Sequence, residues 1–141
     1  MALYPLEFLM ISAHTEKKLL QASVVLACIV PLSAGLAGAL DGAALLGHAN
    51  INLDSHFRYL SGLLLGIGIG FISLVPHIER HTFTFRILTL IVFIGGLARL
   101  GGFFLAGTPN SAMQAAVVME VIVAPLLCLW QHRVAAQLSL L

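Results

Sequence analysis

Charge is what this chain has least of. Only 9% of its 141 residues are Asp, Glu, Lys or Arg, and seven basic against six acidic side chains leave a formal +1. Soluble domains carry about a quarter charged residues. The balance excludes a nucleic-acid footprint, which needs a basic patch, and an acidic solvating tail. Cysteine is scarce too: Cys28 and Cys128 both lie inside apolar runs and read as small packing residues, not as a disulfide framework. Absent as well is the apolar/polar alternation over about ten positions that a membrane β-strand needs, which excludes a barrel.

What the chain does have is long apolar sequence. Hydrophobic residues make up 60% of it, and mean hydropathy is +1.02. A spanning helix takes about twenty mostly apolar residues at 1.5 Å each, and four stretches qualify: about 19–40, 57–76, 85–106 and 111–130. The expected fold is all-α, a polytopic membrane protein built as one four-helix transmembrane bundle. Residues 1–18 are too short to span, carry Glu7, and are expected in the cytoplasm or the interface. Pro76 closes the second span, and Gly107-Thr108-Pro109-Asn110 is a tight turn that sets the third and fourth antiparallel. Between the first two, Gly42, Gly47, Asn50, Asn52 and Asp54 supply turn chemistry. A secretory signal is the rival reading of the first run, since Lys17 and Lys18 precede it and Ala37-Gly38-Ala39 resembles a cleavage site. Its length of about 22 residues exceeds a signal's apolar region and favours a span.

Lys17, Lys18, Arg80, Arg86 and Arg133 all fall on one side of an even-numbered bundle, and neither loop on the other side carries Lys or Arg. Basic residues stay in the cytoplasm, so both termini are expected there.

A few charges interrupt the spans. Arg99 and Glu120 lie about nine and eleven residues from the 107–110 turn, so they sit at matching depth on adjacent helices. An unpaired ion there costs at least about 2.5–3.5 kcal/mol, which makes an Arg99–Glu120 contact the economical arrangement. Arg58 heads the second span at the same end, with a stem long enough to reach outward or inward. Small residues flank each charge at helical spacing: Gly62, Gly66 and Gly70 after Arg58, Gly95 and Gly102 around Arg99, Ala116 and Ala124 around Glu120. Helix one adds a looser set, including Ala34, Gly38 and Asp41, and Pro31 is expected to kink it.

Two roles compete for these charges. They can be interhelical clamps, with Arg58 closing on a loop Asp. Alternatively, Arg58, Arg99 and Glu120, with Asp41, Asp54, His48 and His56 nearby, line a cavity for a small anion or a lipid head group. A binding or accessory protein is the leading functional reading. A small enzyme on a lipid-like substrate, with Glu120 as acid or base, is the second. A small transporter or a subunit of a larger membrane complex is the third, weakened by the lack of an inverted repeat. Membrane lipids are the expected partners, and the helix-two glycines offer a surface for a homo-oligomer.

His77 and His81 form an H-x-x-x-H pair, the spacing that puts two imidazoles on one helical face toward a metal. No third ligand follows at fixed spacing, so no metal is expected, and they are only weak candidates. No histidine lies mid-span to hold a haem, and no cofactor is expected. GIGIG at 66–70 is not a dinucleotide-binding pattern and falls within a span.

Certain runs are familiar together: His56-Phe57-Arg58-Tyr59-Leu60-Ser61-Gly62, Pro76-His77-Ile78-Glu79-Arg80, Phe85-Arg86-Ile87-Leu88 and Phe93 to Leu100, with Glu120 and Trp130-Gln131-His132-Arg133. Over about residues 20–133 the chain resembles a bacterial family of small four-helix membrane proteins known only as domain of unknown function four-three-four-five. The most specific part of the match is Arg58, Gly62, Glu79, Arg86, Gly96, Arg99 and Glu120. The resemblance implies a four-span integral membrane protein, and no activity, cofactor or partner; the expected location is a bacterial inner membrane.

Overall fold

The computed structural model describes residues 4–47 and 50–140, with side-chain surroundings from Ile11 onward apart from Leu46; His48 lies outside the described residues. All its regular structure there is helical. α1 runs Tyr4–Asp41, a 3-10 turn follows over Gly42–Leu46, α2 spans Ile51–Leu74, and a second 3-10 turn spans Val75–Arg80. α3 covers Thr82–Ala106, α4 covers Ser111–Val118, a π-helical turn occupies Met119–Val123, and α5 covers Ala124–Leu138. Four helical stretches are long and apolar enough to cross a membrane: Ile11–Leu45, Ile51–Arg80, Thr82–Ala106 and Ser111–Leu138. This is the make-up of a multi-pass membrane protein.

The helices outrun the lengths expected of them. α1 takes in residues 4–18 without a break and runs on through Pro31. Local chemistry sets the other ends. Asn50 and Asn110 cap α2 and α4, their side chains accepting from the backbone N–H of Leu53 at 2.8 Å and Met113 at 3.0 Å. Gly107, at φ +95°, ends α3 in a conformation that side-chain-bearing residues rarely adopt.

The chain forms two compact units: residues 24–75, and residues 1–23 together with 76–141. In the first, α1 and α2 pack through glycine. A Cβ on Gly35 would stand 2.6 Å from the Leu65 backbone nitrogen, and one on Gly68 3.0 Å from Leu32, so the helices meet nearly backbone to backbone. Gly38 lies against Ser61 and Phe57 in the same way. The packing face of α2 is thus Ser61, Leu65 and Gly68. It is offset by one residue, or about 100° around the helix, from the expected Gly62–Gly66–Gly70 stripe, and Gly62 and Gly66 have no such neighbours.

In the second unit, α3 packs along α4, the π turn and α5. Leu20, Ile78, Phe85 and Val134 are fully buried, and so is Gln131. Gln131 donates from Nε2 to the Ile78 carbonyl at 2.7 Å and to Thr82 Oγ1 at 2.9 Å, tying α5 to the turn before α3. Ion pairs join the start of α1 to this end: Lys17 with Glu79 at 2.9 Å, and Arg133 with Glu16 at 3.2 Å.

Candidate functional site

The fourth span changes geometry where its charge falls. Ala124 donates its N–H five residues back, to the Met119 carbonyl, and the next residue, Pro125, has no N–H at all. An α-helix would have used the Ala124 N–H on the carbonyl of Glu120, and a continued π ladder would have used residue 125. Neither helical donor serves that carbonyl. Such single π turns cluster at functional sites, and this one carries Glu120.

Opposite it stands Arg99 on α3. Its Nε donates to Glu120 Oε2 and its Nη2 to Glu120 Oε1, each at 3.1 Å, a two-point fork that fits the planar guanidinium to the carboxylate. Gly96, one turn before Arg99, makes the approach possible, because a Cβ there would lie 2.7 Å from Glu120 Cβ and 2.9 Å from Val121 Cγ2. The small residue beside the pair is therefore Gly96, not Gly95 or Gly102, which have no such neighbours.

The guanidinium does not stop at Glu120. Nη1 lies 3.1 Å from the thioether sulfur of Met113, seven residues nearer the 107–110 turn, or roughly 10 Å along the helix. The side chain thus leans toward that end of the span, as a long cation does when it seeks water. Arg99 remains 37% exposed and Glu120 19%. Two of five guanidinium N–H groups meet the carboxylate and a third meets only sulfur, a weak acceptor.

Arg58 belongs to the other unit and is held within it. Its Nε donates to Asp54 Oδ2 at 2.7 Å, and its Nη1 donates to the carbonyls of Ala39 at 3.0 Å and Leu40 at 2.6 Å. These carbonyls close α1, where helical donors have run out, and a cation also suits the negative end of the helix. Asp54 Oδ1 accepts from the Ala43 N–H at 2.8 Å. Gly42, at φ +66°, lies directly against Asp54 and Arg58, leaving no room for a side chain. The partner of Arg58 is therefore Asp54, which sits in the first turn of α2 and not in a loop.

The histidine pair does not share a helical face. His77 has left helical geometry, at φ −126° and ψ 43°, and His81 precedes α3 at φ −110°. Among the described residues no three His, Cys, Asp or Glu side chains gather as a metal site. Sequence reasoning missed Met113, Asp54's place in the helix and the π turn. Pro125, five residues after Glu120, was the available signal for the last.

Comparison with known proteins now places the chain. Residues 19–131 match the family described as Domain of unknown function (DUF4345). The chain belongs to this family. The matched region of the DUF4345 chain takes in both arginine sites, the π turn and Gln131, and leaves residues 1–18 outside. No curated protein and no solved structure matches.

Proposed function

We propose that this protein is a binding or accessory component of a bacterial inner membrane, both termini cytoplasmic, in which Arg99 and Glu120 receive a small anion or anionic head group from the 107–110 side. The observation that carries this reading is the guanidinium itself. It is anchored by its fork to Glu120, yet a third of it is exposed and one edge meets only the Met113 sulfur. An anionic oxygen is a far better acceptor for those N–H groups than a thioether.

Gly96 favours a second role for the same pair, as a clamp holding α3 against the π turn. The two roles separate experimentally. Protein extracted in mild detergent is examined by mass spectrometry for retained anions and lipids, alongside its thermal unfolding, for wild type, Arg99→Gln and the swap Arg99→Glu with Glu120→Arg. Recognition predicts that the swap recovers thermal stability while retention stays lost. Retention unchanged in Arg99→Gln refutes it.

A further inference from the structure

One described cavity lies well away from Arg99. About 370 Å³ in volume, it lies at the far end of α3, among His14 and Lys17 of α1, Glu79 and Arg80 of the 3-10 turn, and Leu138 of α5. From Arg80 to Arg99 is roughly 28 Å along the chain's helical rise, so this is a separate place. Its size is within the roughly 300–1,000 Å³ of small-ligand sites.

Its charges are layered. The carboxylate of Glu79 is turned inward, 16% exposed and paired with Lys17, whereas Arg80 is 75% exposed and meets Glu79 only at 3.8 Å. The same order holds beside it, where Glu16 is the covered partner and Arg133 the exposed one. A ligand approaching from outside therefore meets Arg80 before Glu79, with Lys17 covered to much the same degree as the carboxylate it pairs with. His14 is shared with a second cavity of about 300 Å³ that Ile11 and Lys18 also line, so a further basic group and an apolar side chain stand next to His14 on α1.

We propose that this cavity binds a phosphate group, carried by an anionic lipid head group or free in solution, with Arg80 and Lys17 as its charge partners and His14 as a polar wall. Arg80 supplies planar N–H donors suited to phosphate oxygens. Lys17 is kept in place by its ion pair with Glu79. Leu138 and Ile11 give the acyl chain of a lipid an apolar border.

The test uses the full chain in detergent, titrated separately with dioctanoyl phosphatidic acid, dioctanoyl phosphatidylcholine and inorganic phosphate, with bound adducts counted by native mass spectrometry. Wild type is expected to hold phosphatidic acid above the choline lipid, whose ammonium cancels the phosphate charge. Arg80→Gln should lower that occupancy about fivefold, the share of one basic residue near an anionic head group. His14→Gln, on the α1 part of the lining, should lower it too, and Arg86→Gln, outside the cavity, should not. The same pattern with inorganic phosphate alone supports the site and names free phosphate as the source. Equal binding of the two lipids, or equal losses in Arg80→Gln and Arg86→Gln, overturns the proposal.

Discussion

Gly96 and Glu120 touch where α3 meets the π turn: a Cβ placed on the glycine would lie 2.7 Å from the Cβ of the glutamate. Arg99 reaches Glu120 from one turn further along α3, so the closeness of the backbones and the length of the ion pair are set together. Gly96→Ala forces either the helices or the carboxylate to move, and is expected to cost about 1–3 kcal/mol, the usual range for overpacking. Gly95→Ala, where a Cβ meets nothing, should be neutral or stabilising by up to about 1 kcal/mol from helix propensity. Urea or thermal unfolding of the two variants in detergent gives the comparison, and equal effects would remove the packing account.

Removing one member of the Arg99–Glu120 pair leaves the other uncompensated. Fully buried pairs cost about 3–5 kcal/mol to break, and the 37% exposure of Arg99 brings the expectation for Arg99→Gln or Glu120→Gln down to about 1–3 kcal/mol. A double-mutant cycle should return a coupling energy above about 0.5 kcal/mol, and additive losses would show that the fork is incidental.

Pro125→Ala restores the N–H whose absence accompanies the π turn. With a donor available at 125, the stretch 119–123 can return to α geometry and turn Glu120 away from Arg99 by up to about 100°. The expected result is a weakened Arg99–Glu120 coupling when the cycle above is repeated with Pro125→Ala present throughout, even if the helix itself gains stability. A coupling that Pro125→Ala leaves unchanged would mean that something other than proline imposes the π turn.

Gln131 is fully buried and serves two acceptors, the Ile78 carbonyl of the turn before α3 and the hydroxyl of Thr82, which opens α3. Gln131→Leu keeps comparable bulk and strands the Ile78 carbonyl, so a loss of about 1–3 kcal/mol is expected. Hydrogen exchange at residues 76–82 should rise with it, while exchange in α4 should not.

At the other unit, Arg58→Lys retains charge but cannot span Asp54 and two carbonyls with one planar group. Its melting temperature should fall, and proteolysis should increase in 42–50. If Arg58→Lys matches wild type by both measures, the lock on the end of α1 is held by Asp54 and Ala43 alone.

The four apolar helices and the meeting of Arg99 with Glu120 were legible in the sequence for one reason: charge in a span is costly, and cost at equal depth implies pairing. The faces were harder to read. A G-x-x-x-G stripe says where another backbone can approach, but not that one does, and α2 packs instead through Ser61, Leu65 and Gly68. The π turn is hard to read because apolar periodicity runs on across it, and only Pro125 marks the place where the α ladder loses a donor. For Arg58 the sequence leaves both directions open and offers a nearby Asp as one partner; Asp54 takes that place, and the bare carbonyls at the end of α1, which no residue pattern announces, add two more acceptors.

The extra residue in the π turn also bears on how the fourth span meets α3 on both sides of that turn. Val117 and Gln131 are fourteen positions apart, close to four α-helical turns, and an unbroken helix would aim both to nearly the same side. Inserting one residue offsets the halves by about 100°. Met113 before the turn and Glu120 within it can then meet Arg99 while Gln131 after it reaches Ile78 and Thr82, so the π turn works as a phase shifter. A one-residue deletion within 119–123 would bring the two halves back into step, and each could satisfy its own contacts only by giving up the other's.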